Sequence, residues 1–195
     1  RSSDLMSLCL GPCDITVGEM VSAYTAFANH GIRCAPLFVT RIEDGNGQVL
    51  AHFEPRVNEV ISEESSFKML TLLQGVVDGG TGSRLRFKYN VNAQMGGKTG
   101  TTNRNSDAWF MAVTPDLVSG MWVGGEDRDI HFDSMAMGQG ATMALPIYAY
   151  FIKKVYGNEA LPYKANAIFD IPEDFDGCGR ASESDDFMDI EDVFE

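Results

Sequence analysis

The stretch Gly96-Gly97-Lys98-Thr99-Gly100-Thr101-Thr102 holds the residues whose types and spacing best suit chemistry. A cation, Lys98, stands with two hydroxyls, Thr99 and Thr101, and the run is expected to be a strand that presents all three on one face. An ammonium and two hydroxyls are the donors a substrate carboxylate needs. Gly100 between the hydroxyls would let a ligand approach the backbone closely, and the Thr101 amide could point to where an oxyanion develops. Two other readings stand beside this one. Gly-Lys-Thr can close a phosphate-binding loop, but that motif needs a glycine at position 92, where the chain has Asn92, and a long helix afterwards. The run could also be a plain exposed strand edge.

A second candidate is Ser65-Ser66-Phe67-Lys68, where a serine and a lysine three residues apart at a helix start share a face. A small serine hydrolase could use that pair, although a solvated first turn is the preferred reading. Metal chemistry finds no support. His30, His52 and His131 are isolated, and Cys9, Cys13, Cys34 and Cys178 show no zinc-type spacing. The cysteines read as buried thiols, or as a bridge from Cys9 to Cys13 or Cys34 in an oxidising compartment. No cofactor is expected.

The chain has 195 residues, 44% of them apolar and 22% charged, which excludes wholesale disorder. Its net charge of −13 argues against nucleic acid, because phosphate binding needs clustered Lys and Arg. Residues 173–195 hold ten acids against the single Arg180, so −9 of that charge lies there and −4 elsewhere. The expected organisation is a body over 1–156, then a linker and a disordered acidic tail over 157–195. The longest apolar run, Met143 to Ile152, is too short for a membrane span. The opening Arg1-Ser2-Ser3-Asp4 reads as the middle of something longer.

The elements follow from period and caps. Thr16 and Glu19 form a capping box ahead of a helix over 17–30. Two strand-like runs, 37–43 and 48–53, flank Asp44-Gly45-Asn46-Gly47, which is hairpin chemistry. Ser62 opens a second helix that Gly79-Gly80-Thr81-Gly82 ends. Strands are expected over 93–101, 107–113 and 117–124, the last two joined antiparallel by Thr114-Pro115-Asp116. A Gly-rich loop over 124–140 leads to a final helix near Pro146. Trp109 and Trp122 read as sheet-core residues, and Asp107 as a partner of Arg104 or a loop cap. This order of helices and antiparallel strands is α+β.

With the Lys98-Thr99-Gly100 signature in place, the segment KTGTTNRNSDAWFMAVTPDLVSGMWVG (98–124) resembles the K-T-G strand and meander of bifunctional, class A penicillin-binding proteins. The segments ITVGEMVSAYTAFANHG, RIEDGNGQVL, LLQGVVDGGTG and GQGATMALPIYAYFIKKV resemble successive parts of the same transpeptidase domain, in order, over residues 8 to 156. The resemblance implies a serine acyl-enzyme that cross-links D-Ala-D-Ala stem peptides and binds penicillins. Within it Lys98 would tune the proton network, Thr99, Gly100 and Thr101 would hold the substrate, and the Thr101 amide would complete the oxyanion hole. It further implies an enzyme at the extracytoplasmic face of the membrane, anchored by a preceding segment and carrying a glycosyltransferase domain upstream.

The departures are equally informative. The family places its nucleophile in S-x-x-K and a second serine in S-x-N, both far upstream of K-T-G. No serine here has an asparagine two positions later, and Ser65-x-x-Lys68 lies too close to Lys98. The expectation is a C-terminal half of the domain, inactive alone. In the resembled fold its third meander strand pairs with the missing N-terminal half, so self-association through 117–124 is also expected. A non-catalytic binding module of the same fold is the alternative.

Overall fold

The structure is a computed structural model that describes residues 13–172 and Phe175. Helix α1, Val17–Ala28, begins where the sequence predicts. The Glu19 amide donates to Thr16 Oγ1 at 3.2 Å, and Glu19 Oε2 accepts from the Thr16 amide at 2.9 Å. It stops at His30 and Gly31, which adopt φ of 52° and 91°. Gly31 must be glycine, because a Cβ there would press into the Ile61 carbonyl. That close passage lets β1, Ile32–Cys34, pair antiparallel with β4, Val57–Glu59. Between them β2, Arg41–Glu43, and β3, Val49–His52, form the hairpin around Asp44 to Gly47.

Helix α2, Glu63–Asp78, is capped by the Ser62 hydroxyl, which accepts from the Ser65 amide. A single turn, α3, Arg84–Phe87, follows. The central sheet then runs β5, Gly96–Thr101, β6, Asp107–Val113, and β7, Val118–Gly124, in the order β5-β6-β7 and antiparallel throughout. Thr114 closes the second turn by donating its amide to the Leu117 carbonyl at 2.9 Å. A short α4, Met135–Gly138, and the long α5, Ala144–Tyr156, complete the α+β order.

Side-chain alternation gives the sheet two buried faces. Phe110 and Ala112 of β6 face α5, whose Tyr148, Ala149 and Ile152 are fully buried with them. The Phe110 and Tyr148 rings stand 5.2 Å apart, and the Tyr148 hydroxyl reaches the Met95 sulfur at 4.0 Å. Val113 faces the other way, into a core with Leu70 and Leu73 of α2 and Tyr24 and Phe27 of α1. Each such apolar side chain contributes roughly 1.5–3 kcal/mol by leaving water. Helix α2 lies along β5 and supplies Val77 to the first core, so it ties the two faces together.

Beyond α5 the chain stays on this body. Leu161 and Tyr163 pack against the α5 core. Phe169 is buried and its amide donates to Gln94 Oε1 at 2.7 Å, while the Phe175 ring meets Phe67 of α2 at 5.5 Å. Residues 157–172 therefore form a strap, where the sequence suggested a linker. Most of the acidic tail lies outside the described residues. The thiols also depart from expectation, since Cys13 is exposed and Cys34 half-buried, and both are free. Cys9 and Cys178 lie outside the described residues.

Candidate active site

Strand β5 changes character halfway along. Gly96 and Gly97 are buried, where a Cβ on Gly96 would come within 2.8 Å of Leu73 Cβ of α2 and one on Gly97 within 2.9 Å of Phe110 Cζ and 3.2 Å of Val77 Cγ2 of α2. Two absent side chains thus let the helix sit directly on the strand. The strand then emerges from under α2, leaving Thr99 and Gly100 half-buried and Lys98 and Thr101 exposed. The predicted strand over 93–101 begins only at Gly96, but its exposed end is the Lys-Thr-Gly-Thr run.

The common face expected for Lys98, Thr99 and Thr101 needs correcting. Alternation gives Thr99 and Thr101 one face and sends Lys98 to the other. The Lys98 ammonium folds back at the strand edge and donates to the Thr99 carbonyl. That carbonyl is available because only every second residue of an antiparallel strand turns its amide and carbonyl toward the partner. The Thr102 amide donates to the Asp107 carbonyl at 3.1 Å, so alternation turns the Thr99 and Thr101 backbone groups outward, away from β6.

Both hydroxyls have partners from elsewhere in the chain. Thr99 Oγ1 lies 2.7 Å from the hydroxyl of Thr81, in the loop after α2. Thr101 Oγ1 accepts from the Gly140 amide at 3.1 Å. Gly140 lies in the turn between α4 and α5, flat on the β5–β6 backbone. A Cβ on it would sit 2.6 Å from the Gly100 carbonyl oxygen and closer still to that of Trp109. Neither partner was singled out from sequence. The signal for Thr81 was a lone hydroxyl among three glycines, read there only as a helix stop.

Behind the site, Asp107 locks the β5–β6 connection. Its Oδ1 accepts from Trp122 Nε1 at 2.9 Å, and its Oδ2 from Thr102 and Ser106 at 3.1 and 3.2 Å. Asp107 therefore holds Trp122 and the turn, which matches the loop cap of the two roles read from sequence; its carboxylate partners are Thr102, Ser106 and Trp122 and not Arg104. Trp109 and Trp122 are register partners across β6 and β7, but they are not core residues. Trp109 is half-buried and Trp122 is 42% exposed.

The other candidate pair is engaged at the start of α2. The Ser65 hydroxyl accepts from Ser62 at 2.9 Å, and Lys68 Nζ reaches Glu64 Oε1 at 2.6 Å. That contact with Lys68 holds the Glu64 carboxyl below its usual range. Both Ser65 and Lys68 are exposed, on the turn opposite the end of α2 that carries Thr81. Chemically, the β5 edge offers a cation, two hydroxyls and outward amides, and among the described residues it contains no nucleophile with a base beside it.

Residues 2–124 match the family model described as penicillin binding protein transpeptidase domain. The chain is 36% identical over 156 residues to penicillin-binding protein 1A of Aquifex aeolicus, covering 78% of this chain and 21% of that protein. It is 32% identical over 162 residues to penicillin-binding protein 1A of Neisseria meningitidis, with 78% and 20% covered. The chain thus spans about a fifth of the length of these relatives. Among solved structures, penicillin-binding protein 1A of Haemophilus influenzae superposes with a TM-score of 0.72 at 23% identity, over 86% of this chain and 29% of that one. PonA1 of Mycobacterium tuberculosis gives 0.69 at 26% identity, over 85% and 43%; its complex with penicillin V gives 0.65 at 23%, over 85% and 43%. Fold, order of elements and family match agree, and this chain belongs to the penicillin-binding protein transpeptidase domain family.

Proposed function

We propose that this chain is the C-terminal part of a peptidoglycan D,D-transpeptidase domain and forms the wall that holds the substrate carboxylate. The observation that carries the reading is the β5 edge, where Thr99 and Thr101 share a face and their backbone groups turn outward from the sheet. In the complete enzyme a serine outside this chain attacks the penultimate D-Ala carbonyl of a stem peptide. The C–N bond to the terminal D-Ala breaks and D-Ala leaves with the serine's proton. An amine of a neighbouring strand then takes the acyl group, which restores the serine and forms the cross-link.

In this reading Thr99 and Thr101 donate to the terminal carboxylate, and Gly100 permits its approach. The Thr101 amide stabilises the oxyanion. Lys98 supplies positive potential at the edge and tunes the proton network around the serine. Penicillins occupy the same wall because they present a carboxylate and a strained amide, and the bound penicillin V of the PonA1 relative supports this extension. The enzyme would work at the extracytoplasmic face, where its substrate lies. Residues 1–156 would be the partial domain and 157–172 a strap upon it, with the acidic end following.

Two experiments test the proposal. Incubating the purified chain with labelled penicillin and mapping adducts by mass spectrometry should show none; label on Ser65 would overturn the assignment in favour of a Ser65–Lys68 hydrolase. In the full-length protein that contains this chain, Thr99→Val and Thr101→Val should each cost about 1–3 kcal/mol in penicillin acylation, and Lys98→Ala at least as much. Unchanged rates in all three variants would sink the reading.

A further inference from the structure

We infer that Thr81 is a positioning residue for the carboxylate anchor: its hydroxyl donates to Thr99 and so commits the Thr99 proton to the substrate. This rests on the reading of β5 given above and extends it to a residue outside the strand. Thr81 stands in Gly79-Gly80-Thr81-Gly82, a loop bound tightly to the last turn of α2. The amides of Gly79 and Gly80 both donate to the Gly75 carbonyl, at 3.1 and 3.0 Å, and that of Gly82 donates to Val76 at 2.9 Å. A Cβ on Gly80 would come within 2.9 Å of Val76 Cα, so the loop can lie this close only without side chains on either flank. Because α2 is itself seated on the bare backbone of Gly96 and Gly97, the hydroxyl of Thr81 is delivered to Thr99 by a rigid path.

The chemistry follows from counting protons. A hydroxyl has one proton to give and two lone pairs. In the 2.7 Å contact either threonine can be the donor. If Thr99 donates to Thr81, it has nothing left for an anion. If Thr81 donates, the Thr99 proton is free. A carboxylate offers no proton, and a hydrogen bond to it is about twice as strong as one between neutral hydroxyls. Its arrival therefore selects the order Thr81 to Thr99 to carboxylate, and the two bonds polarise one another. Thr101 needs no such selection, because its partner is the Gly140 amide, which can only donate. One anchor hydroxyl is oriented by the backbone and the other by a replaceable side chain.

The test uses the full-length protein and two acylating probes, a penicillin and its methyl ester, which lacks the carboxylate. Thr81→Val should slow penicillin acylation roughly three- to tenfold and leave the ester's rate unchanged. Thr81→Ser should restore the rate. In a Thr99→Val background, Thr81→Val should cost nothing further, since both changes remove one shared interaction. Thr81 is exposed, so the melting temperature should not move. Wild-type penicillin acylation in Thr81→Val alongside slowed Thr99→Val would overturn this inference alone, as would equal slowing with both probes. A Thr99→Val variant acylated at the wild-type rate would instead overturn the carboxylate anchor, and the role of Thr81 with it.

Discussion

The two outer strands of the central sheet are finished differently. Strand β5 is covered for half its length by α2 lying on Gly96 and Gly97, and its open half is polar and engaged by Thr81 and Gly140. Strand β7 has α1 on one face and α5 contacts on the other, but among the described residues no strand pairs with its outer edge. Its residues Val118, Met121, Trp122 and Val123 carry no charge. The open half of β5 is thus occupied by side chains and loop backbone of the chain itself, through Thr81 and Gly140. An apolar edge without charge is a template for another strand.

The largest expected effect breaks the covered edge. Gly96→Leu would place a side chain where even a Cβ meets Leu73 at 2.8 Å, lifting α2 from β5. A loss of about 3 kcal/mol in urea unfolding is expected; an unchanged midpoint would show that α2 does not need the bare strand. The β7 edge is tested by assembly. The isolated chain should self-associate at about 50 μM in light scattering, and Val123→Lys should return it to monomer. A monomer in both cases would mean the edge is closed by residues outside the described set.

Smaller changes sharpen the same contrast. Helix α1 covers the β7 face, with Val17 and Val21 against Gly120. Thr16→Ala removes its cap and should cost about 1 kcal/mol. The Glu19 carboxyl is held below its usual range by its bonds to Thr16. Its contribution is therefore present above the ordinary glutamate range and lost as pH falls through the depressed value. An acid titration of wild type that parallels Thr16→Ala throughout would count against the reciprocal cap. The smallest effect belongs to the tail. Deleting 176–195 should leave the melting temperature nearly unchanged, because it spares the Phe175 ring on Phe67 of the helix that covers β5. A drop of several degrees would show that the acidic end also secures α2.

The elements that were legible share a local cause. The Thr16–Glu19 box, the Asp44–Gly47 turn and the Thr114–Asp116 turn are each decided within a few residues, and β6 and β7 appear within one residue of their predicted ends. The β1–β4 pair was missed because its three-residue strands carry no period and depend on Gly31 passing Ile61. The strap was misread for a similar reason: Phe169 is buried by packing with Leu70, Leu73 and Val113, and its amide donates to Gln94, 75 positions away. At the site, the Lys98–Thr101 run was visible as chemistry. Its supporting shell was not, since Thr81 and Gly140 reach it through helix and loop packing across 18 and 39 positions. Trp122 was misjudged because alternation alone does not say which sheet face stays open to water.

Tyr148, wedged between Phe110 and Met95, also sets the chain's tolerance of alkali. Burial holds its phenol far above the ordinary tyrosine value of 10.0, and burial raises Tyr24 and Tyr156 in the same direction. The folded chain keeps protons that the unfolded chain surrenders above that value. Stability is therefore fully present below it and drains away as pH climbs. Base acts on this molecule as a denaturant aimed at the α5 face of the sheet. In an alkaline titration followed in the near ultraviolet, the phenolate of Tyr148 is expected among the last to form, when Phe110 and α5 let go of its ring.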